Sequence, residues 1–425
     1  MKKFFSIMAA AAVCATAFAQ TSKAEEQKED EGYKFTVVKE LPITSVKNQN
    51  QAGTCWCYSG LGFIEAELLR MGKGTYDFSE MYLVANTYND RAMAAIRTSG
   101  DVSFSQGGAF GDVIYGMKTF GLVPEECMRP GVMYGDTLSN HTELSALTDA
   151  MVEAIAKNDK LKKLQRSPEG KLMCIKAIEA VHAIYLGTMP EKFNYNGKEY
   201  TPKSFYESLG LNASDYVSIT SYTHHPFYEQ FVLEIQDNWR WGLSYNVPLD
   251  EMMQIFDNAI ENGYPIAWGS DVSEQGFRMG TRKGFCVLPA DAKTAASLQG
   301  SDMAHWTGMK SADIQNEAQK HPTPQRWVSQ DERQAAYDNR ETTDDHGMVI
   351  YGTAKDQMGN EYYMVKNSWG DYGDYHGMFF ASKAFVRYKT MNILVHKDAI
   401  PDAIAAKLGI QKSTTNTKAT KKGRK

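Results

Sequence analysis

Apolar residues recur at helical spacing in several segments of the first 190 residues and again near residue 250. After residue 54, the run CWCYSGLGFIEAELLRMG places Leu61, Ile64 and Leu68 on one face, and Gly72 follows as a stop signal. We therefore predict a helix that begins at Cys55. The same periodicity predicts further helices in the segments 78–92, 108–121, 142–157, 172–187 and 248–263.

The last third of the chain has a different pattern, with short runs rich in β-branched and aromatic residues. The runs GMVIYGTA (347–354) and YYMVKNSW (362–369) flank the turn-like DQMGN (356–360), which predicts a hairpin. Residues 190–245 follow no single period and predict loops and short strands, whereas 294–345 form a mostly polar excursion. The remaining strand candidates are 265–272, 378–385 and 390–397. The pattern indicates an α+β protein whose C-terminal third is rich in sheet.

Composition supports a large folded body. The chain has 425 residues, 43% of them hydrophobic and seven of them tryptophan, which is enough for a large core or two lobes. A formal net charge of −5 gives no global electrostatic case for nucleic-acid binding. The end of the chain differs, because residues 412–425 carry six basic residues and no acidic one, which predicts a mobile tail.

The N-terminus has the pattern of an export signal. Lys2 and Lys3 precede a short apolar run, and Ala17-Phe18-Ala19 has the small-residue form of a cleavage site. Cleavage there would remove residues 1–19 and leave a charged leader, 20–32, before the folded body; the product would be periplasmic or secreted, with no further membrane span. A lipoprotein at Cys14 is the less favoured alternative. Five cysteines would remain, an odd number compatible with one thiol reserved for chemistry.

The segment NQNQAGTCWCYSG (48–60) has the layout of a thiol nucleophile site. A thiol attacks an amide as its thiolate, and a helix N-terminus, where we expect Cys55, lowers the pKa of a thiol. Gln49 could donate its amide N–H to an oxyanion, together with the backbone N–H of Cys55. The alternative is a buried structural cysteine beside a core tryptophan, Trp56.

A general base and its partner are predicted from the hairpin. His346 follows Asp345 and opens the first strand, and KNSWG (366–370) ends the second. Antiparallel pairing would bring the side-chain oxygen of Asn367 beside the imidazole, where it fixes the productive tautomer, and Trp369 would shield that bond from water. The other histidines lack an orienting motif, and we expect surface or structural roles for them.

These segments resemble the papain-like cysteine peptidases, in the spacing of Gln49 to Cys55, in the Cys-Trp pair and in NSWG. The stretch between Cys55 and His346 is about twice the usual papain-type length. Together with SQGGAFGD (105–112) and YTPKSFYESLG (200–210), that length resembles the bleomycin hydrolase and aminopeptidase C branch.

The resemblance implies a papain-like two-lobe fold over residues 33–400, with a large helical insertion at about 140–260. It also implies a set of site residues. These are Cys55 as nucleophile, His346 as general base, Asn367 as its orienter, Gln49 as oxyanion donor, Gly107, Gly108 and the Asp345 carbonyl as substrate contacts, and Trp56 and Trp369 as support. The chemistry requires no metal or organic cofactor.

The activity implied is that of an exported aminopeptidase that acts on peptides. The resemblance implies a self-compartmentalised hexamer in which the C-terminal arm of each chain lies in the active-site cleft. Residues 401–425 would form that arm here. The basic tail differs from the apolar end expected of the branch. An endopeptidase, an amidase or transpeptidase with the same catalytic groups, and a catalytically dead binding scaffold therefore stay open as alternatives.

Overall fold

The computed structural model describes residues 32–158, 160–161, 163–274, 276–277, 281–290 and 309–413. The predicted signal peptide, the leader up to residue 31 and the basic tail from residue 414 lie outside the described residues. The same holds for residues 291–308, which include the first part of the polar excursion.

The six predicted helices lie near their expected positions, and the described residues form five more α-helices, the first of them within 190–245, where loops and short strands were expected. The helices are Cys55–Arg70 (α1), Glu80–Arg97 (α2), Phe110–Thr119 (α3), Thr142–Ala156 (α4), Met173–Leu186 (α5), Pro202–Leu209 (α6), Leu249–Glu261 (α7), Ser311–Ala318 (α8), Gln330–Asp338 (α9), Lys383–Lys389 (α10) and Asp402–Lys407 (α11). Ser79 caps α2 by accepting a hydrogen bond from the N–H of Tyr82, and Thr201 does the same for α6.

The strands are concentrated after residue 215. They are Thr36–Glu40 (β1), Phe193–Tyr195 (β2), Lys198–Tyr200 (β3), Tyr216–Thr220 (β4), Gln230–Val232 (β5), Leu243–Asn246 (β6), Ile266–Ser270 (β7), Phe285–Cys286 (β8), His346–Lys355 (β9), Glu361–Lys366 (β10), Met378–Ser382 (β11) and Thr390–His396 (β12). The segment 140–260 therefore contains helices that alternate with short strands, from α4 to α7.

Most strands belong to one large sheet, in the order β5-β6-β4-β12-β7-β9-β10-β11-β8, with β1 paired to β9. The central pairs are antiparallel, and their register sets Thr390 opposite Ser270 and Ser270 opposite His346. His346 thus lies at one end of the middle of the sheet. The predicted hairpin is confirmed as β9 and β10, which pair antiparallel across the turn at 356–360.

One strand prediction is wrong in part. Within the segment 378–385, only the first five residues form strand β11, and the chain then enters α10 at Lys383. The local reason is Ser382, whose hydroxyl accepts a hydrogen bond from the N–H of Phe385 and so caps a helix. Phe385 and Val386 remain buried in the core from the helix, so the apolar pattern alone did not distinguish the two structures.

A buried ion network lies behind α1. The ammonium of Lys47 lies 2.7 Å from Glu80 and 3.5 Å from Glu65, both of whose side chains are almost fully buried. Burial lowers the pKa of Lys47, but the neighbouring carboxylates outweigh burial and hold that pKa above its ordinary value. The backbone carbonyl of Lys47 also accepts a hydrogen bond from the N–H of Gly370, so the network joins α1 and α2 to the segment that follows β10.

We expect Lys47→Met to lower the free energy of unfolding by about 3–5 kcal/mol, because it leaves Glu65 and Glu80 buried beside an apolar side chain. Urea denaturation at neutral pH measures the change. The matched control is Lys355→Met, which removes a half-exposed partner of Glu361 at 3.2 Å and should cost less than about 1 kcal/mol. Equal losses in the two variants would contradict a structural role for the buried network.

Candidate active site

Cys55 is the first residue of α1, as predicted, and its side chain is half-buried. The preceding turn is tied down by the N–H of Gly53, which donates to the side-chain oxygen of Gln106 at 2.8 Å. The backbone N–H groups of Gly347 and Trp56 lie close to the sulfur, and both act to lower the pKa of the thiol. The sulfur therefore lies against the beginning of β9, next to the residue that follows His346.

The close approach of α1 to β9 requires glycine at position 347. A Cβ added there would lie 2.6 Å from the hydroxyl of Ser59 and 3.1 Å from the ring of Phe110. Any larger residue would push α1 away from the strand and separate Cys55 from His346. The geometry of the site thus depends on a position that the sequence motifs did not single out.

The imidazole of His346 is buried and its Nε2 lies 2.7 Å from the Oδ1 of Asn367. The orientation of that amide is fixed, because the same oxygen accepts the N–H of Ser368 at 2.8 Å. Nε2 must therefore carry the proton, and Nδ1 keeps the lone pair that a base needs. The indole of Trp369 covers the pair, with its ring centre 4.9 Å from that of the imidazole.

Burial opposes a lone charge on either group. It raises the pKa of the Cys55 thiol to about 12 and lowers the pKa of His346 to about 4. Each shift favours the uncharged form of its group. A proton that moves from the thiol to the imidazole creates two opposite charges side by side, with no net charge, and the N-terminus of α1 stabilises the thiolate.

Gln49 is held between the two halves of the site. Its backbone N–H donates to the carbonyl of Ser368 at 2.8 Å, and its side-chain oxygen accepts the hydroxyl of Ser368 at 2.6 Å. One amide N–H donates to the carbonyl of Ala52 at 2.7 Å. These bonds orient the amide at the turn that leads into Cys55 and leave its second N–H as a donor for another group.

Gly108 lies against the indole of Trp56, whose N–H donates to the carbonyl of Gln106 at 3.1 Å. A Cβ at Gly108 would lie 2.9 Å from the indole. A Cβ at Gly107 would lie 2.1 Å from the carboxylate of Asp237. Neither position has room for a side chain, so the backbone of this segment is the surface that it presents to the cleft.

The carboxylate of Asp345 is turned away from the imidazole. It accepts hydrogen bonds from the hydroxyl of Thr343 at 2.8 Å and from the N–H of Val272 at 3.3 Å. Contact between the backbone carbonyl of Asp345 and a substrate stays a prediction.

The structure adds a segment that sequence reasoning missed. The loop between β5 and β6, residues 233–242, crosses from the edge of the sheet to the helices, and we call it the strap. Its Arg240 forms ion pairs with Asp112 of α3 at 2.6 Å and with Asp90 of α2 at 2.8 Å. Asp237 of the strap lines the same cleft as Cys55 and His346.

A second acidic residue, Asp344, lines this cleft as well. Its position two residues before His346 could have identified it from the sequence as a residue of the site. Asp237 gave no such signal, because the aperiodic segment around it is far in sequence from every motif of the site.

One group of described side chains is spaced for a metal ion. The ligand atoms of His224, His225 and Glu234 lie within 4.8 Å of one another. Gln334, however, accepts the N–H of Thr223 at 2.6 Å through its oxygen and so directs its NH2 at the Nδ1 of His224, 3.1 Å away. Nε2 of His224 then carries a proton and donates to Glu234 at 3.1 Å, so its lone pair is not free for a metal.

The cysteines that the structure describes, 55, 57, 127, 174 and 286, are all free thiols. Cys57 is fully buried and its sulfur contacts the carbonyl of Glu80 at 3.6 Å, on the side of α1 away from the cleft. Among the described helices, none has the length and the apolar run that crossing a bilayer requires.

Comparison with known proteins assigns the family. Residues 2–287 and 299–416 match the model of the Peptidase C1-like family. Aminopeptidase G of Lactobacillus delbrueckii subsp. lactis is 24% identical over 396 residues, which cover 84% of this chain and 82% of that protein. Aminopeptidase C of Streptococcus thermophilus is 23% identical over 397 residues, with coverage of 84% and 82%.

A solved structure agrees with this assignment. The crystal structure of PepW from Lactobacillus rhamnosis superimposes with a TM-score of 0.63 at 20% identity, over 88% of this chain and 84% of that one. The α+β papain-like fold that the motifs implied is thereby confirmed. The chain belongs to the Peptidase C1-like family and is a cysteine-type peptidase.

Proposed function

We propose that this peptidase is an exported aminopeptidase that uses Cys55, His346 and Asn367 as its catalytic triad. One observation carries the triad: the 2.7 Å bond from Nε2 of His346 to Asn367 leaves Nδ1 as the free base in the cleft where the Cys55 sulfur lies. Both side chains face one cavity from different layers of the fold, the thiol from a helix N-terminus and the imidazole from a strand.

The reaction is acyl transfer. Nδ1 of His346 accepts the thiol proton as the sulfur attacks the scissile carbonyl, and the imidazolium then protonates the leaving amine. Water hydrolyses the thioester, with His346 again acting as base. The oxyanion is bound by the backbone N–H of Cys55, which as the first residue of α1 has no acceptor within the helix, and by the second amide N–H of Gln49.

Selectivity for a free N-terminus is supported by the strap. Asp237 contacts Gly107 and lies next to the backbone N–H of Gly108, which favours the ionised carboxylate. A long peptide that extended along this glycine segment would collide with the strap, so the cleft favours substrates that end there. The relatives named above are aminopeptidases by name, which agrees with this choice over an endopeptidase.

The charge of the cleft favours a cationic group. Burial, and then the negative charge of Asp237, raise the pKa of the carboxyl of Asp344 to about 7. Two carboxyl groups that face one cleft repel each other when both are ionised. The α-ammonium of a peptide would relieve that repulsion, whereas an acetylated terminus would not.

Export is supported by the sequence of residues 1–19, which lie outside the described residues. The basic start, the short apolar run and the small residues at Ala17 and Ala19 are those of a cleaved signal peptide.

The proposed activity is tested with a peptide amide that has a free amino group and with its acetylated twin. The wild-type enzyme should hydrolyse the first and leave the second nearly untouched. Cys55→Ala should lower turnover of the free-amino substrate by at least about a thousandfold, because no other group supplies the nucleophile. The matched control is Cys57→Ala, which removes a thiol two residues away and should keep most of the turnover. Hydrolysis by Cys55→Ala would exclude the assigned nucleophile.

Asp344→Asn is expected to raise stability at alkaline pH. A carboxyl whose pKa is raised by folding binds its proton more tightly in the folded state, so the wild type loses stability as pH rises from about 4 to 7. The neutral amide should therefore make the variant about 2–4 kcal/mol more stable at pH 8 and no more stable at pH 4. Urea unfolding at both values measures this, with the exposed Asp374→Asn as control. A difference that does not depend on pH would contradict the assignment.

Export is tested on the mature chain. The protein recovered from outside the cytoplasm should begin at Gln20, as read by N-terminal sequencing or intact mass. A chain that retains Met1 and stays with the cytoplasmic fraction would overturn this part of the proposal.

A further inference from the structure

The Asp237 carboxylate lies at a position that a substrate backbone would otherwise use. It lies next to the backbone N–H of Gly108, which favours its ionised form, and it packs against the α-carbon of Gly107. In an extended peptide bound along this segment, the N–H of Gly108 would pair with a carbonyl upstream of the bond attacked by Cys55. The carboxylate of Asp237 therefore occupies the position of a substrate carbonyl oxygen. A substrate cannot extend past it along the glycine segment.

A carboxylate in this position is adjacent to the nitrogen of the next substrate residue. In a peptide bond, the carbonyl oxygen and the amide nitrogen are attached to the same carbon. If the carboxylate of Asp237 takes the place of that carbonyl oxygen, the substrate has no carbonyl carbon at this point. The substrate nitrogen that would have been bonded to it must then be a free N-terminus. A terminal ammonium at that point can form an ion pair with the carboxylate, whereas an acylated nitrogen has neither the charge nor the room.

The charged groups around Asp237 leave it able to accept a ligand. Arg91 lies 3.6 Å away, but the same guanidinium nitrogen donates to the carbonyl of Gly107 at 2.6 Å, and its Nε donates to Ser103 at 2.7 Å. A carboxylate has about four acceptor positions, and the N–H of Gly108 and Arg91 use only part of them. Asp344 and Asp345, which also line this cleft, are acidic as well.

The strap holds this carboxylate firmly. Arg240, three residues after Asp237, is bonded to two acidic side chains of the helical layer and lies 4.0 Å above the ring of Tyr115. On the other side of Asp237, the carbonyl of Glu234 accepts the hydroxyl of Tyr337 at 2.9 Å. Contacts on both sides of Asp237 fix its distance from the nucleophile. A residue that selects the terminus of a substrate needs such a fixed distance.

The described part of the C-terminal segment lies elsewhere. Strand β12 starts in the row of His346 and runs away from it, so that its end at His396 is about 20 Å further along the sheet. Helix α11 follows there, and the N–H of Ser413 donates to Asp398 at 2.7 Å. The carboxylate that faces the glycine segment thus comes from the strap, not from residues 401–413.

We propose that Asp237 determines the specificity of this enzyme for free N-termini by forming an ion pair with the α-ammonium of the substrate's first residue. This inference rests on the proposed aminopeptidase function and names the residue responsible for it.

The test compares kcat/KM for alanine 7-amido-4-methylcoumarin and for its N-acetyl twin. Asp237→Asn keeps an acceptor for Gly108 but removes the charge, and it should lower kcat/KM for the free-amino substrate by about 10- to 100-fold, mainly through KM. Hydrolysis of the acetylated twin should stay the same or rise. Asp237→Glu, which restores the charge, should recover part of the preference, a result that a merely structural role would not produce.

Two controls separate this residue from its surroundings. Glu234→Gln removes an acidic charge from the same strap, where the carboxylate binds His224 and His225, and should keep the wild-type preference. Deletion of residues 414–425 should also keep it. Reaction of Cys55 with a thiol-directed probe verifies that each variant is folded, and Asp237→Ser provides a second neutral variant should the amide disturb the strap.

The outcomes are distinct. A wild-type enzyme that hydrolyses both twins equally contradicts the aminopeptidase function itself. If the wild type prefers the free amine and the neutral Asp237 variants keep that preference, only the role of Asp237 is overturned. Loss of the preference on deletion of residues 414–425, with Asp237→Asn unaffected, would assign the selection to the tail.

Discussion

The approach of α1 to β9 is the contact on which the remainder of the site depends. The thiol and the imidazole belong to different layers, and neither can act without the other. Gly347 permits the contact, because any side chain there would collide with Ser59 and Phe110. Sheet register then sets His346 beside Ser270 and Thr390, and the bond to Asn367 orients the ring. Helix packing and strand pairing together determine the distance over which the proton must move.

Burial gives the cleft a consistent electrostatic character. It disfavours a lone thiolate, a lone imidazolium and a second ionised carboxyl, as the pKa shifts of Cys55, His346 and Asp344 indicate. Such a site stabilises charges only when they are paired. In the proposed mechanism, the thiolate and the imidazolium form one such pair. Arg91 lies 3.6 Å from Asp237, and in the proposed binding mode the ammonium of the substrate adds a second cation beside that carboxylate.

Local patterns predicted a large part of the fold and of the site. The helix at Cys55 and the hairpin that carries His346 and Asn367 could be read from periodicity, turn residues and motif spacing, because each depends on neighbours in sequence. The segment at 378–385 shows the limit of such patterns. Its apolar residues are buried whether they continue β11 or enter α10, and the cap at Ser382 decided for the helix.

What the sequence determined by itself was the chemistry: a thiol at a helix N-terminus, an imidazole, and an amide to orient it. Only the tertiary structure determined which other residues line the cleft that contains these groups. Asp237 comes from an aperiodic loop far from the motifs, and it reaches Gly108 only because the edge of the sheet and the helices are joined by Arg240. The physical reason is that long-range contacts arise from packing between layers, and packing leaves no local periodicity to read.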